Sequence, residues 1–275
     1  MTGLTRLHRC IAAVAVTAAL SLAACGGGDA GPAGQPTPSG DDRVAASSLG
    51  RITVLAASSL TGAFTELGAR LENEHPGTRV AFSFAASSEL ASQVLAGAPA
   101  DVFASASVPT MALVADSGGI GGTGGEPVTF ATNTLEIAVP AGNPGKVSAL
   151  ADFARPELTI GLCAPEVPCG SAAATVLGEA TVDADPDTLE ADVKALLSKV
   201  ILGEIDAALV YRTDVLAAGE KVTGIDFPQA STAVNAYPVA VLRDAPNPEG
   251  GQAFVDLLLS AEGAEVLAAA GFGPP

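Results

Sequence analysis

The chain contains no tryptophan and two tyrosines in 275 residues, and aromatic side chains make up 4% of it. A site that stacks a sugar or an aromatic ligand between rings is therefore poorly supplied. Histidine is as scarce, with only His8 and His75, too few for a closed zinc site. Lysine and arginine number 13 against 30 acids, for a net charge of −17. Nucleic acid, whose phosphates are normally met by a basic patch, does not suit such a chain. Long-range attraction of anions is also excluded, so any anion must be held locally by aimed hydrogen bonds. No Gly-x-Ser-x-Gly elbow is present, and His75 sits in Glu74-His75-Pro76-Gly77 at the end of a helical pattern, a poor place for a general base. Catalysis is not expected.

What is present begins with an export signal over residues 1–24. Arg6 and Arg9 precede an apolar run over 11–20, shorter than the roughly 20 residues that span a bilayer. Leu22-Ala23-Ala24-Cys25 has the form of a bacterial lipobox, which predicts cleavage before Cys25 and diacylation of its thiol. Two acyl chains hold a protein stably at a membrane, here on the extracytoplasmic side of the cell membrane. Loss of Arg6 and Arg9, with no acid removed, takes the net charge from −17 to −19. Residues 25–50 are rich in Gly, Pro, Ser, Asp and Ala without periodicity and read as a tether.

Cys10 leaves with the signal and Cys25 is the acylation site, which leaves Cys163 and Cys169 in Cys163-Ala164-Pro165-Glu166-Val167-Pro168-Cys169. In an exported protein the simplest reading is a disulfide stapling a proline-rich loop. A zinc site would lack ligands, and a redox pair would lack the Cys-x-x-Cys spacing.

Strand and helix signals alternate from residue 51 onward. Residues 51–56 read as a strand, 60–74 as a helix with Phe64, Leu67 and Leu71 on one face, 78–84 as a strand, 88–95 as a helix and 101–104 as a short strand. The pattern resumes with strands over 135–139 and 158–162, helices over 171–178 and about 189–202, strands over 207–211 and 237–242, and one final helix over 251–269. This predicts an α/β fold of two lobes, each a mostly parallel sheet flanked by helices, with the ligand cleft between them. Lobe I is assigned residues 51–130 plus 236–275, and lobe II residues 131–235.

The chemistry concentrates at helix starts. Ala56-Ala57-Ser58-Ser59-Leu60 and Ala85-Ala86-Ser87-Ser88-Glu89 each pass from a strand through paired serines into a helical pattern; further starts fall at Cys169-Gly170-Ser171 after Pro168 and near Asp192-Val193. Each offers unpaired backbone N–H groups at the positive end of a helix, and such ends bind anions. Tyr211 closes a strand with a phenolic donor. The set is neutral and donor-rich, which suits a tetrahedral dianion without protons. The plainer readings are that Ser59 and Ser87 cap their helices, Ser58 and Ser88 cap or support them, Tyr211 is a core residue, Glu89 and Asp192 stabilise first helical turns, and Asp101 is structural.

The strings Ala-Ala-Ser-Ser-Leu-Thr at 56–61, Gly97-Ala98-Pro99-Ala100-Asp101-Val102-Phe103, Val167-Pro168-Cys169-Gly170 and Val210-Tyr211 resemble, in order, the molybdate-binding proteins of ABC importers, within the type II periplasmic binding proteins. The resemblance covers roughly residues 51–272. It implies a carrier of molybdate and tungstate that hands its ligand to a membrane permease, with no cofactor, with molybdenum bound only as the oxyanion, and as a monomer. It further implies oxyanion contacts from the hydroxyls of Ser59, Ser87 and Tyr211 and from the backbone N–H groups of Cys169 and Val193. Cys169 departs from the alanine of some relatives, which matters little to a backbone donor. A carrier of another tetrahedral oxyanion, sulfate or thiosulfate, is the alternative.

Overall fold

The computed structural model describes residues 47–121 and 125–275. The signal, Cys25 and most of the tether lie outside the described residues. In chain order the elements are β1 (Arg51–Ala57), α1 (Thr61–Glu74), β2 (Arg79–Ala85), α2 (Ser87–Leu95), β3 (Val102–Ala104), α3 (Val108–Asp116), β4 (Val128–Asn133), β5 (Leu135–Pro140), β6 (Ile160–Cys163), α4 (Pro168–Ala180), β7 (Thr188–Glu190), α5 (Val193–Leu202), β8 (Ala207–Tyr211), α6 (Arg212–Ala218), β9 (Val222–Ile225), β10 (Asn235–Val241), α7 (Pro248–Leu259) and α8 (Ala261–Ala269).

They build two five-stranded sheets, β2-β1-β3-β10-β4 and β7-β6-β8-β5-β9. In the first, β1 pairs in parallel with β2 and β3, while β10 runs antiparallel between β3 and β4. The second repeats the plan, with β6 parallel to β7 and β8, and β5 antiparallel between β8 and β9. Each sheet is thus mostly parallel with one reversed strand. That strand is the one on which the chain arrives from the other sheet: β4 leads into β5 through Thr134 alone, and β9 leads back into β10.

The central strands are buried on both faces, as parallel strands covered by helices must be. Along β1, Ile52, Val54 and Ala56 join one apolar cluster with Phe64, Leu67 and Phe254, whereas Leu55 joins another with Leu90, Phe103 and Met111; the alternation is the two-residue period of a strand. Gly68 lets α1 approach β2 closely, since a Cβ there would meet the Phe82 ring at 2.7 Å. The second sheet has its own core around Ile137, Phe153, Val176, Leu196 and Leu209.

Two expected elements differ. The helix expected from about residue 189 is a short edge strand, β7, followed by a helix that starts only at Val193, because Asp192 Oδ1 takes the N–H groups of Lys194 (2.7 Å) and Ala195 (3.1 Å) and sets the first turn there. The single helix expected over 251–269 is two, broken at Ser260, whose extended backbone ends α7 and whose Oγ caps α8 through Gly263 N–H at 3.1 Å. Apolar periodicity runs through the break, so it conceals it. Asp101 proves to be structural: its carboxylate accepts from Thr53 N–H (2.7 Å) and Asn247 N–H (2.6 Å), tying β1, β3 and α7 together.

Candidate anion-binding site

In both sheets, β1, β2, β6, β7 and β8 end on the same cleft, and the turn after each supplies part of its wall. This is where ligands of open α/β sheets sit, outside the carboxyl ends of the strands. A small cavity there, about 10 Å³ open to the centre of a water molecule, is lined by Ser58, Ser59, Ala86, Ser87, Ala106, Val167, Pro168, Cys169, Asp192, Val193 and Tyr211 among others. The five residues singled out from the sequence, Ser59, Ser87, Cys169, Val193 and Tyr211, therefore stand around one space. All five are buried. The space is of the order of one water or one small ion, far below the several hundred Å³ of a pocket for a drug-sized organic ligand.

The helix ends around it are open. The 3-10 turn Ser58–Leu60 that leads into α1, and the helices α2 and α4, have Ala57, Ala86 and Val167 at their N-caps, and none of these makes a side-chain capping bond. Ser59 and Ser87 are inside the helical segments rather than at the cap, so the plain N-cap reading does not hold for either. In α4, Pro168 occupies the first position, where the absent N–H costs nothing, and the next N–H belongs to Cys169. In α5 the Asp192 cap stops one residue short of Val193 N–H.

The Cys169 loop is held twice. Cys163 and Cys169 form a disulfide from the end of β6 to the start of α4, and Gly170 lies so close to the loop that a Cβ would overlap the carbonyl oxygen of Ala164. Ala164 O in turn accepts from Val167 N–H at 3.1 Å.

The hydroxyls are buried and directed. Ser87 Oγ accepts from Ala106 N–H at 2.9 Å. Ser59 Oγ lies 3.0 Å from Tyr237 Oη. Tyr211 is 1% exposed and its hydroxyl has no hydrogen-bond partner among the described residues. Burial, with Tyr237 and Asp214 close by, pushes that phenol well above its ordinary pKa, so it remains a donor. A buried, unpartnered hydroxyl is costly and implies a partner that completes the site. Behind it, the fully buried Asp214 accepts from Tyr211 N–H at 3.2 Å and faces Lys194 Nζ at 2.7 Å.

Sequence reasoning missed Tyr237, Asn133 and Thr213, which form a buried polar group behind Ser59. No local signal marks them, because their partners lie 80 to 178 residues away along the chain.

Residues 52–273 match the family described as bacterial extracellular solute-binding protein. The chain belongs to that family. This solute-binding protein is 43% identical over 224 residues to the molybdate-binding protein ModA of Mycobacterium tuberculosis, covering 82% of this chain and 85% of the relative. Among solved structures, the periplasmic molybdate-binding protein of Azotobacter vinelandii superposes with a TM-score of 0.69 at 21% identity, over 82% of this chain and 99% of that one. The sulfate-binding protein SubI of Mycobacterium tuberculosis superposes at 0.67 and 19% identity, over 82% and 87%. The two superpositions establish the two-lobed fold expected from the motifs. They do not choose between anions, since proteins named for different ones share it.

Proposed function

We propose that this solute-binding protein captures molybdate, and tungstate with it, in the cleft between its lobes and delivers the oxyanion to the permease of an ABC importer. The observation that carries the reading is the Tyr211 hydroxyl, without a partner among the described residues, on the wall of a cavity where two buried serine hydroxyls and uncapped helix starts converge. Tyr211, Ser59 and Ser87 would donate through their hydroxyls, and Cys169 and Val193 through backbone N–H groups. Charge-assisted bonds of this kind are short and strong, and helix ends add favourable potential without any Arg or Lys. The molybdenum atom is held only through its oxygens, and no cofactor takes part. The 43% identity to a protein named for molybdate supports the choice of anion.

In this reading the two halves, expected at residues 51–130 with 236–275 and at residues 131–235 and divided in the sheets at Thr134 and ahead of Asn235, close on the ligand. Both donate to it, so the ligand stabilises the closed form by its differential affinity. The protein acts as a monomer held by a lipid on Cys25 at the outer face of the cell membrane. The second reading is carriage of another tetrahedral oxyanion such as sulfate or thiosulfate, which the same set of neutral donors would also hold.

Calorimetric titration with molybdate, tungstate, sulfate and phosphate tests the proposal directly, and the absence of tryptophan makes it preferable to intrinsic fluorescence. Tight binding of the first two with sulfate much weaker is expected. Equal binding of sulfate would move the assignment to the second reading, and no binding of any oxyanion would overturn the site.

A further inference from the structure

Each of the two serine hydroxyls at the cavity has a hydrogen-bond partner behind it. For Ser87 that partner is main chain, the N–H of Ala106, and its direction is fixed: Oγ accepts and its own hydrogen is left for the cavity. For Ser59 the partner is Tyr237 Oη at 3.0 Å, a pair in which either oxygen is able to donate. The group one residue further back biases the direction. Asn133 Oδ1 accepts the N–H of Thr134 at 3.0 Å, which orients the amide nitrogen, with two hydrogens and no acceptor capacity, towards Thr213 Oγ1 at 2.9 Å and Tyr237 Oη at 3.4 Å. Asn133 thus occupies an acceptor position of Tyr237 Oη and leaves the Tyr237 hydrogen to be given to Ser59 or towards the neighbouring Tyr211 hydroxyl; when it goes to Ser59, Ser59 has its own hydrogen left for the cleft.

We propose that Asn133 and Tyr237 are positioning residues that turn the hydroxyl hydrogen of Ser59 into the cleft, so that the site presents donors only and discriminates against oxyanions that still carry a proton. Neither residue lines the cavity; both act through Ser59. Both are buried, Tyr237 completely and Asn133 at 4% exposure. Burial also keeps the Tyr237 phenol protonated by pushing its pKa up. The inference rests on the oxyanion reading above and adds to it how the protonation state of the ligand is read.

The test is calorimetric titration of the purified protein with molybdate and with phosphate, for wild type, Tyr237→Phe, Ser59→Ala and the double variant, with a thermal melt of each. Tyr237→Phe should weaken molybdate about tenfold, the worth of one such bond, and lower the ratio of molybdate to phosphate affinity. In the Ser59→Ala background the same change should have little further effect, because a relay that works through Ser59 couples the two sites. Asn133→Asp is the second variant, and carries the test should Tyr237→Phe fail to fold. Its acceptor-only carboxylate draws the hydrogen of Tyr237 to itself, so Ser59 turns its own hydrogen back to Tyr237; the affinity ratio should again fall. An unchanged ratio in Tyr237→Phe, or an equal loss with and without Ser59, reduces Tyr237 to packing and overturns the relay alone. A wild-type protein that binds no oxyanion overturns the functional reading itself.

Discussion

The rings of Tyr211 and Tyr237 meet edge to face, with centroids 6.2 Å apart and planes at 70°, yet their hydroxyls have opposite fates. That of Tyr237 is bonded to Ser59 and Asn133, whereas that of Tyr211 has no hydrogen-bond partner among the described residues and stands at the cavity wall. One tyrosine completes the internal network and the other is spare. The spare one is the more informative, because a folded protein seldom leaves a buried donor unpaired.

Tyr211→Phe should therefore act with opposite signs on stability and on binding. Without ligand, removing an unpaired buried hydroxyl should leave the melting temperature unchanged or higher. Molybdate affinity should fall about tenfold or more, since hydrogen bonds to charged groups contribute roughly 1.5–3 kcal/mol. Melting curves with and without molybdate measure both, because ligand binding stabilises the folded protein by an amount that grows with the logarithm of its affinity. A fall in stability without ligand would mean that the hydroxyl is already paired.

Ser87→Ala should harm both properties. It removes a donor from the cleft and strands Ala106 N–H, which now gives to Ser87 Oγ. The unfolding free energy should drop by about 1–3 kcal/mol, and the Ser59→Ala, Ser87→Ala pair should weaken molybdate by roughly 2–5 kcal/mol. Denaturant melts and titration check the two effects, and unchanged affinity would remove the serines from the site.

Reduction of the Cys163–Cys169 disulfide should cost about 2 kcal/mol of stability on the chain-entropy account of so small a ring. It should also slacken the segment that carries the Cys169 N–H, so molybdate affinity should fall as well. Titration before and after reduction, against a Cys163→Ala, Cys169→Ala variant, reads the effect. Equal affinity in all forms would show that the Gly170 contact with Ala164 holds the loop by itself.

Lys194→Met should destabilise the protein more at neutral pH than in acid. Burial pushes the Asp214 pKa up and Lys194 pulls it back down. A carboxyl whose folded pKa is raised contributes its stability when protonated and loses it as pH rises from the unfolded value through the folded one. Removing Lys194 leaves the buried carboxylate without its cation, a loss of about 3–5 kcal/mol where Asp214 is charged. Below pH ~4, the ordinary aspartate range, the gap from wild type should close. Urea melts across pH measure it, and a gap independent of pH would show that the pair is not the cause.

The positions of the strands and of the donor-rich helix starts were legible because they depend on local pattern. Residues 52–56 are apolar except for Thr53 and residues 207–211 are apolar or aromatic throughout, and both appear in strands of the sheet interiors. The breaks at Ser260 and before Val193 were not legible, since each rests on one capping side chain within a periodic sequence. The helices α3 and α6 and the strands β4 and β9 were also missed; both strands lie at sheet edges.

The sequence by itself determined the chemistry: neutral donors in place of basic ones, a stapled proline-rich loop, and motifs shared with molybdate-binding proteins. These are properties of residue type and short spacing, and they survive reading along a line. Only the tertiary structure decided which groups work together, because Ser59 meets Tyr237 across 178 residues and Ser87 meets Ala106 across 19. It also decided which hydroxyl is left over. Whether a hydroxyl gives or receives a hydrogen depends on every neighbour within about 3 Å, and those neighbours are assembled only when both sheets have formed and the chain has crossed between them at Thr134.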